Sequence, residues 1–190
     1  MSKTTLRIEP DLLSKFQRKV ESAAGKLKGA QNEALNEAVL LWIGYRGEEK
    51  VVSVATKRGS RVMRMEGAKD VIEDLVRDGW DEGRGASVKA LFAPIENSEI
   101  VEILSPFKGF RCIEVKFTAD GSGEETKLHG VEEIPETHRI DGTFLIRYDA
   151  GGGREFQVWA SRYGIDVQCG REFVPFIRDT RTRSLTSRHR

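Results

Sequence analysis

The side chains best suited to catalysis or metal binding are few and widely separated in this sequence. His129, His138 and the only two cysteines, Cys112 and Cys169, belong to residue types that bind transition metals. Their spacing matches no metal-binding pattern, so we interpret the histidines as surface residues and the cysteines as reduced core thiols. No nucleophile stands at a recognisable spacing from a general base. The sequence therefore predicts no enzyme activity, no metal and no cofactor.

Polar and apolar side chains alternate near the N-terminus in a way that suits a different chemistry. Residues 4–8 form a short segment of β-type composition in which Leu6 and Ile8 share one face. The opposite face carries three hydrogen-bonding side chains, Lys3, Thr5 and Arg7. A single strand of this length has two unpaired edges, so it requires a partner strand.

Two amphipathic helices are expected after this segment. Pro10 suits the first turn of a helix, and Asp11 places a carboxylate at its positive end. Apolar residues then recur three or four positions apart, at Leu13, Phe16, Val20 and Ala24. The second helix begins near Gln31, and Gly44 and Gly47 mark its end. Its inward-facing residues are Leu35, Ala38, Val39, Trp42 and Ile43.

A strand followed by two helices cannot close a core within one copy. Segments of about 40 residues or fewer rarely bury enough surface without a partner. A second copy solves both problems, because the two strands then pair antiparallel and the four helices pack together. The expected dimer core comprises Leu6, Ile8, Phe16, Val20, Leu35, Val39 and Trp42. The polar face of the paired strands is left pointing outward.

The order of residue types in the first quarter of the chain resembles the ribbon-helix-helix family of DNA-binding proteins (Arc/MetJ/CopG-like repressors). The match consists of the strand, the helix start at residues 10–13, and the succession of acidic, apolar and aromatic positions over residues 33–43. In that family a two-stranded ribbon enters the DNA major groove, and its outward side chains read the base edges.

The resemblance implies particular residues for each kind of DNA contact. The base-reading residues are Lys3, Thr5 and Arg7, because Arg and Lys suit guanine while Thr can hydrogen-bond or touch a thymine methyl. The start of the second helix would offer backbone N–H groups to a phosphate, at Gly29, Ala30, Gln31 and Asn32. The family usually has Ser or Thr at the position of Ala30, so the cap and the hydroxyl contact must come from Asn32, Gln31 or bare backbone. The alternative is that residues 3–43 are an ordinary part of one larger core.

The composition bounds the function classes. The chain of 190 residues has 38% hydrophobic and 32% charged residues, which suits one or two soluble domains. Its net charge of +1 is too small to indicate nucleic-acid binding by bulk electrostatics. No run approaches 18 apolar residues and no signal-type segment opens the chain. We therefore expect a cytoplasmic protein with no membrane partner.

Residues 50–177 predict a mainly antiparallel β domain, a barrel or sandwich with one helix, so that the whole chain is α+β. The helix is expected over residues 68–78, after a hairpin of residues 51–56 and 61–65. Seven further strands are expected at residues 88–92, 99–104, 111–118, 143–148, 155–161, 165–169 and 172–176. The glycines at 151–153 indicate a hairpin turn, since no phosphate-loop helix follows them. The basic tail over residues 178–190 is expected to be disordered.

Together these patterns predict a dimeric, sequence-specific DNA-binding protein, most simply a transcriptional repressor. Residues 1–46 would form the ribbon-helix-helix unit, and residues 50–177 would bind a small ligand or a protein partner, or build higher oligomers. One alternative is an antitoxin-like, DNA-transfer or partition accessory protein whose β domain binds a protein partner. Another is an enzyme in the β domain that is tethered to DNA.

Overall fold

The computed structural model describes residues 7–24, 29–78, 83–130, 133 and 142–169. The helices are α1 (Pro10–Ala24), α2 (Ala30–Tyr45), α3 (Met65–Arg77), α4 (Asn97–Ile103) and a 3₁₀ helix (Ser105–Gly109). The strands are β1 (Val51–Thr56), β2 (Gly59–Arg64), β3 (Gly85–Ala90), β4 (Arg111–Ala119), β5 (Glu125–Leu128), β6 (Gly142–Gly151), β7 (Arg154–Ser161) and β8 (Gly164–Cys169). The described part of the chain is thus α+β, as the sequence predicts.

The eight strands form one open antiparallel sheet in the order β2-β1-β3-β8-β7-β6-β4-β5. The centre of the sheet pairs distant parts of the chain, since β3 lies against β8 with Val88 opposite Ile165. Alternate residues are buried in β3, β6 and most of β7, as Val88, Ile146 and Val158 show, whereas the central strand β8 buries four consecutive residues, 164–167. This period of two assigns one face of the sheet to the core.

Helices cover the buried face of the sheet. Ala68 and Ile72 of α3 are completely buried and belong to the same apolar cluster as the inward strand residues. Phe107 of the 3₁₀ helix is equally buried, with ring centroids 5.6 Å from Tyr148 and 5.0 Å from Phe156. The helices therefore bury the apolar side of the sheet, a role that a second sheet has in a sandwich.

The prediction that the strands form a barrel or a sandwich is wrong. A barrel or a sandwich is needed only when a sheet must bury its apolar face against other strands, and α3, α4 and the 3₁₀ helix already cover it. The prediction of one helix is also wrong, because residues 97–103 form α4 where a strand was expected. The Glu99 carboxylate accepts a hydrogen bond from the Glu96 backbone N–H at 2.7 Å and so caps this helix.

Most of the remaining elements agree with the sequence prediction. The β1–β2 hairpin, α3 and the strands β3, β4, β6, β7 and β8 lie where they are expected, within a few residues at their ends. The short edge strand β5 was not predicted. The expected strand at residues 172–176 and the tail at residues 178–190 lie outside the described residues.

Candidate nucleic-acid interface

Helix α1 has the two faces that its sequence predicts. It begins at Pro10, and the Leu13 backbone N–H donates to the Glu9 carbonyl at 2.9 Å. Val20 is buried, and Leu13 and Phe16 are half-buried. The solvent-exposed side carries three cations, Lys15, Arg18 and Lys19. One side of α1 therefore packs on the protein while the other presents positive charge.

Helix α2 packs closely against the start of the sheet through a glycine. A Cβ built at Gly44 would lie 2.7 Å from the Val51 Cγ2 atom, closer than any real side chain approaches. Gly44 is buried and lies inside the helix, which continues to Tyr45. The prediction that Gly44 and Gly47 mark the end of α2 is confirmed, because the helix ends at Tyr45 and Gly47, with φ of 75°, directly follows its C-terminal flanking residue Arg46. Gly44 itself permits the close packing on Val51.

The other side of α2 is apolar and exposed to solvent. Three residues at a helical spacing form what we call the α2 stripe, Val39, Trp42 and Tyr45, with exposed fractions of 46%, 62% and 71%. The Tyr45 ring is 6.4 Å from Trp42 and 6.2 Å from the exposed Phe92, and the Arg46 guanidinium lies 5.9 Å from the Trp42 ring. Large apolar side chains grouped in this way mark an interaction surface.

The predicted dimer core divides into buried and exposed members. Val20 is buried within one chain, and Phe16 and Leu35 are half-buried. Ile8, Val39 and Trp42 are exposed, whereas Leu6 lies outside the described residues. Helix α2 is thus apolar on both sides but covered on only one, a pattern that suits a helix with a further partner. Burial by a second copy stays a prediction.

The predicted base-reading residues precede α1. Arg7 is exposed and, with Ile8 and Glu9, has no regular secondary structure. Arg7 and Ile8 pair with none of the eight strands of the sheet. Lys3 and Thr5 lie outside the described residues. The ribbon itself therefore stays a prediction, and the described end of its segment is free of the chain's own sheet.

The start of α2 offers the unpaired amides that the sequence analysis assigns to a phosphate. Gly29 is the N-terminal flanking residue, with φ of 91°, and no side chain there accepts from the first turn. No other side chain takes the place of the hydroxyl that the family usually has at the position of Ala30, since neither Gln31 nor Asn32 caps the helix. Within the described part of the chain, the first backbone N–H groups of α2 therefore remain available to bind an anion.

Charge is distributed unevenly along the chain. Residues 1–46 contain eight basic and five acidic side chains, a net charge of +3. Residues 47–177 contain 18 basic and 24 acidic side chains, a net charge of −6. The near-neutral total therefore hides a basic N-terminal unit, and this unit is the part of the chain that would be attracted to a phosphate backbone.

The candidate metal ligands are not brought together. Cys112 lies half-buried on β4 and Cys169 lies buried on β8, and neither of them is in a disulfide. Burial raises the pKa of Cys169 to about 12, as expected of an unreactive core thiol. The His129 Nδ1 atom lies 3.0 Å from the Glu133 carboxylate, and His138 is outside the described residues. Within the described ranges, no three such side chains are arranged to hold a metal ion.

Sequence reasoning missed Tyr45 and Phe92 as members of the exposed aromatic group. Tyr45 follows Trp42 by three residues, so helical spacing extended one step further would have included it. Phe92 joins the group only through the tertiary fold, which no local pattern reveals.

Among the described helices, none has the length and apolar content required to cross a membrane. Comparison of the chain with family models, curated proteins and solved structures finds no match.

Proposed function

We propose that this chain is a dimeric, sequence-specific DNA-binding protein that represses transcription by occluding its binding site. Two copies would pair their N-terminal segments into a β-ribbon, and the ribbon would read the major groove through Lys3, Thr5 and Arg7. Residues 29–32 of each copy would contact flanking phosphates.

The exposed α2 stripe is the observation that carries this proposal. A stable helix that is apolar on both sides needs cover on both sides, and the described residues of one chain supply only one. A second copy accounts for this because the pairing of the two strands brings the two helical hairpins together. Arg7 then lies beside the dimer axis, exposed and outside the sheet.

The charge distribution supports the same orientation. The +3 unit would face DNA, while the −6 sheet region would be repelled from it. The acidic region would therefore point away from the duplex, where it is accessible to ligands or partners. This arrangement needs no large total charge, which explains how a chain with a net charge of +1 can bind DNA.

Binding-site selection from random duplexes, performed with the full chain, tests the proposal. Fluorescence anisotropy then compares the selected duplex with a scrambled one, for wild type and for Arg7→Ala. We expect Arg7→Ala to lose about 1–3 kcal/mol of discrimination, or roughly 5- to 150-fold, because a good base contact is worth that much. The control is Arg154→Ala, which removes an exposed cation from the β6–β7 hairpin.

Equal affinity of the wild-type protein for selected and scrambled duplexes would contradict sequence-specific reading. A loss of affinity that is the same for both duplexes in Arg7→Ala would assign Arg7 to the phosphate backbone instead of the bases. Co-purification of a stoichiometric protein partner, without DNA binding by the chain alone, would favour an accessory protein over a repressor.

A further inference from the structure

A concave site that does not involve α1 or α2 lies on the side of β1 away from α2. We call it the hairpin cleft, a cavity of about 500 Å³ between the β1–β2 hairpin, α3 and the start of β3. Its volume is in the range of pockets that hold small organic molecules, roughly 300–1,000 Å³. Its shape alone therefore permits a ligand of that size.

The floor of the hairpin cleft is apolar. It is formed by Val54 of β1, Met63 of β2, and Val71 and Leu75 of α3. Val54 is buried, and the other three side chains are half-buried and pack beside the main core. A flat or aromatic molecular body would cover this floor and remove its apolar surface from water.

The rim of the hairpin cleft is basic on the strand side. Lys57 and Arg58 form the turn of the hairpin, and Arg61 lies opposite Val54 on the edge strand β2. All three side chains are exposed and, within the described residues, none forms an ion pair. Arg84 lines the same cavity beside the start of β3. Among the described residues, the three hairpin cations thus line one cavity without an ion-pair partner.

The acidic residues of the cleft do not cancel this charge. Asp74 lies on α3 and forms an ion pair with Arg77. Asp78 follows the last turn of α3, on the opposite wall from the hairpin. Within the described part of the chain, the cleft is therefore polarised, with Lys57, Arg58 and Arg61 on the strand side and outside any ion pair.

The turn that carries the cations is held in place. Gly59 has φ of 125°, a conformation that a residue with a side chain rarely adopts, and it closes the hairpin opposite Thr56. The Thr56 hydroxyl oxygen accepts a hydrogen bond from the Arg58 backbone N–H at 3.2 Å. The positions of Lys57 and Arg58 are thus fixed by backbone geometry rather than by an ion pair.

We infer that the hairpin cleft binds a small organic anion, a carboxylate or phosphate joined to an apolar body. The apolar floor receives the body, and the cations of the hairpin bind the anionic group by charge-assisted hydrogen bonds. A DNA backbone would use the cations but not the floor, so the combination favours a small molecule. This site would give the sheet region a ligand that does not depend on the proposed function.

The test uses 1-anilinonaphthalene-8-sulfonate as the probe, since it joins an aromatic body to an anionic group. Fluorescence titration of the full chain is compared with Arg58→Gln and Arg61→Gln, which remove the charge and leave a shorter polar side chain. The matched control is Arg154→Gln in the β6–β7 hairpin. Trp42→Asp is included because it removes probe binding at the α2 stripe.

We expect saturable binding that weakens at least about fivefold in Arg58→Gln and in Arg61→Gln, and less than twofold in Arg154→Gln. Binding should survive in Trp42→Asp, even if that variant neither dimerises nor binds DNA. Val71→Phe, which fills the floor, should also weaken binding, with thermal unfolding confirming that the variant is folded.

Equal probe affinity in the wild type, Arg58→Gln and Arg61→Gln would overturn the inference. So would a result in which both variants lose affinity for random DNA but keep the probe, because the cations would then serve the phosphate backbone. Loss of the saturable signal in Trp42→Asp would place the probe on the helices and likewise overturn it.

Discussion

Replacing Trp42 by alanine should abolish the proposed dimer and leave the fold of the sheet intact. The side chain is 62% exposed, and aromatic side chains of this size bury about 150–250 Å², so on the order of 130 Å² is left for a partner to cover. At roughly 25 cal/mol per Å², this surface contributes about 3 kcal/mol in each copy. A symmetric dimer contains it twice, or about 6 kcal/mol, which corresponds to a rise in Kd of roughly 10⁴-fold.

Sedimentation equilibrium at several protein concentrations measures this change. Wild type should be dimeric in the micromolar range, and Trp42→Ala should be monomeric there. Ile113→Ala is the matched control, since Ile113 is an apolar residue on β4 that is 40% exposed and far from the α2 stripe in sequence. The thermal unfolding of the sheet should be unchanged in both variants, because neither side chain belongs to its core.

Two results would refute the reasoning. A wild-type chain that stays monomeric at all concentrations would show that no second copy covers the α2 stripe. A Trp42→Ala chain that dimerises as tightly as wild type would show that the copies associate through another surface.

Four further predictions concern the sheet region. Phe107→Ala should lower the free energy of unfolding by about 3–5 kcal/mol in urea titrations, because the ring is completely buried. Gly142→Ala should lower it by about 1–3 kcal/mol, since the added Cβ would lie 2.5 Å from the Thr118 carbonyl oxygen; an unchanged midpoint would contradict the close packing. The thiol of Cys169, with its pKa raised to about 12, should react slowly with thiol reagents at pH 8 in a Cys112→Ser chain. Because the unfolded thiol ionises first, the Cys169 contribution to stability should be present below about pH 8.5 and be lost as pH rises toward 12.

The strands and α3 could be predicted because each has a strong local period. In β6, inward Phe144, Ile146 and Tyr148 alternate with residues of the other face, and the turn at residues 151–153 separates β6 from β7. In such segments the alternation of residue types directly indicates which side chains are buried. Whether the sheet closes into a barrel or stays open depends instead on what covers its apolar face. Here, helices that are far apart in the sequence cover that face.

The exceptions have physical causes of the same kind. Residues 97–103 contain β-branched apolar side chains, which suit a strand, yet the Glu99 cap and its ion pair with Lys50 favour a helix. The hairpin cleft joins residues from β1, β2, α3 and β3, so no local pattern could reveal it. Of the candidate interface, the helices and the exposed position of Arg7 could be predicted, whereas the ribbon requires a second chain.

The most direct test of the account measures the distance between the two copies at Arg7. A spin label is attached to Arg7→Cys in a chain carrying Cys112→Ser and Cys169→Ala, with Arg154→Cys as the control position. In an antiparallel ribbon centred near Leu6, strands about 4.8 Å apart and a rise of about 3.4 Å per residue place the two Arg7 Cα atoms within roughly 10 Å. We expect strong dipolar broadening of the electron paramagnetic resonance spectrum at position 7 and none at position 154. A spectrum at position 7 without broadening, from a chain that sediments as a dimer, would contradict it.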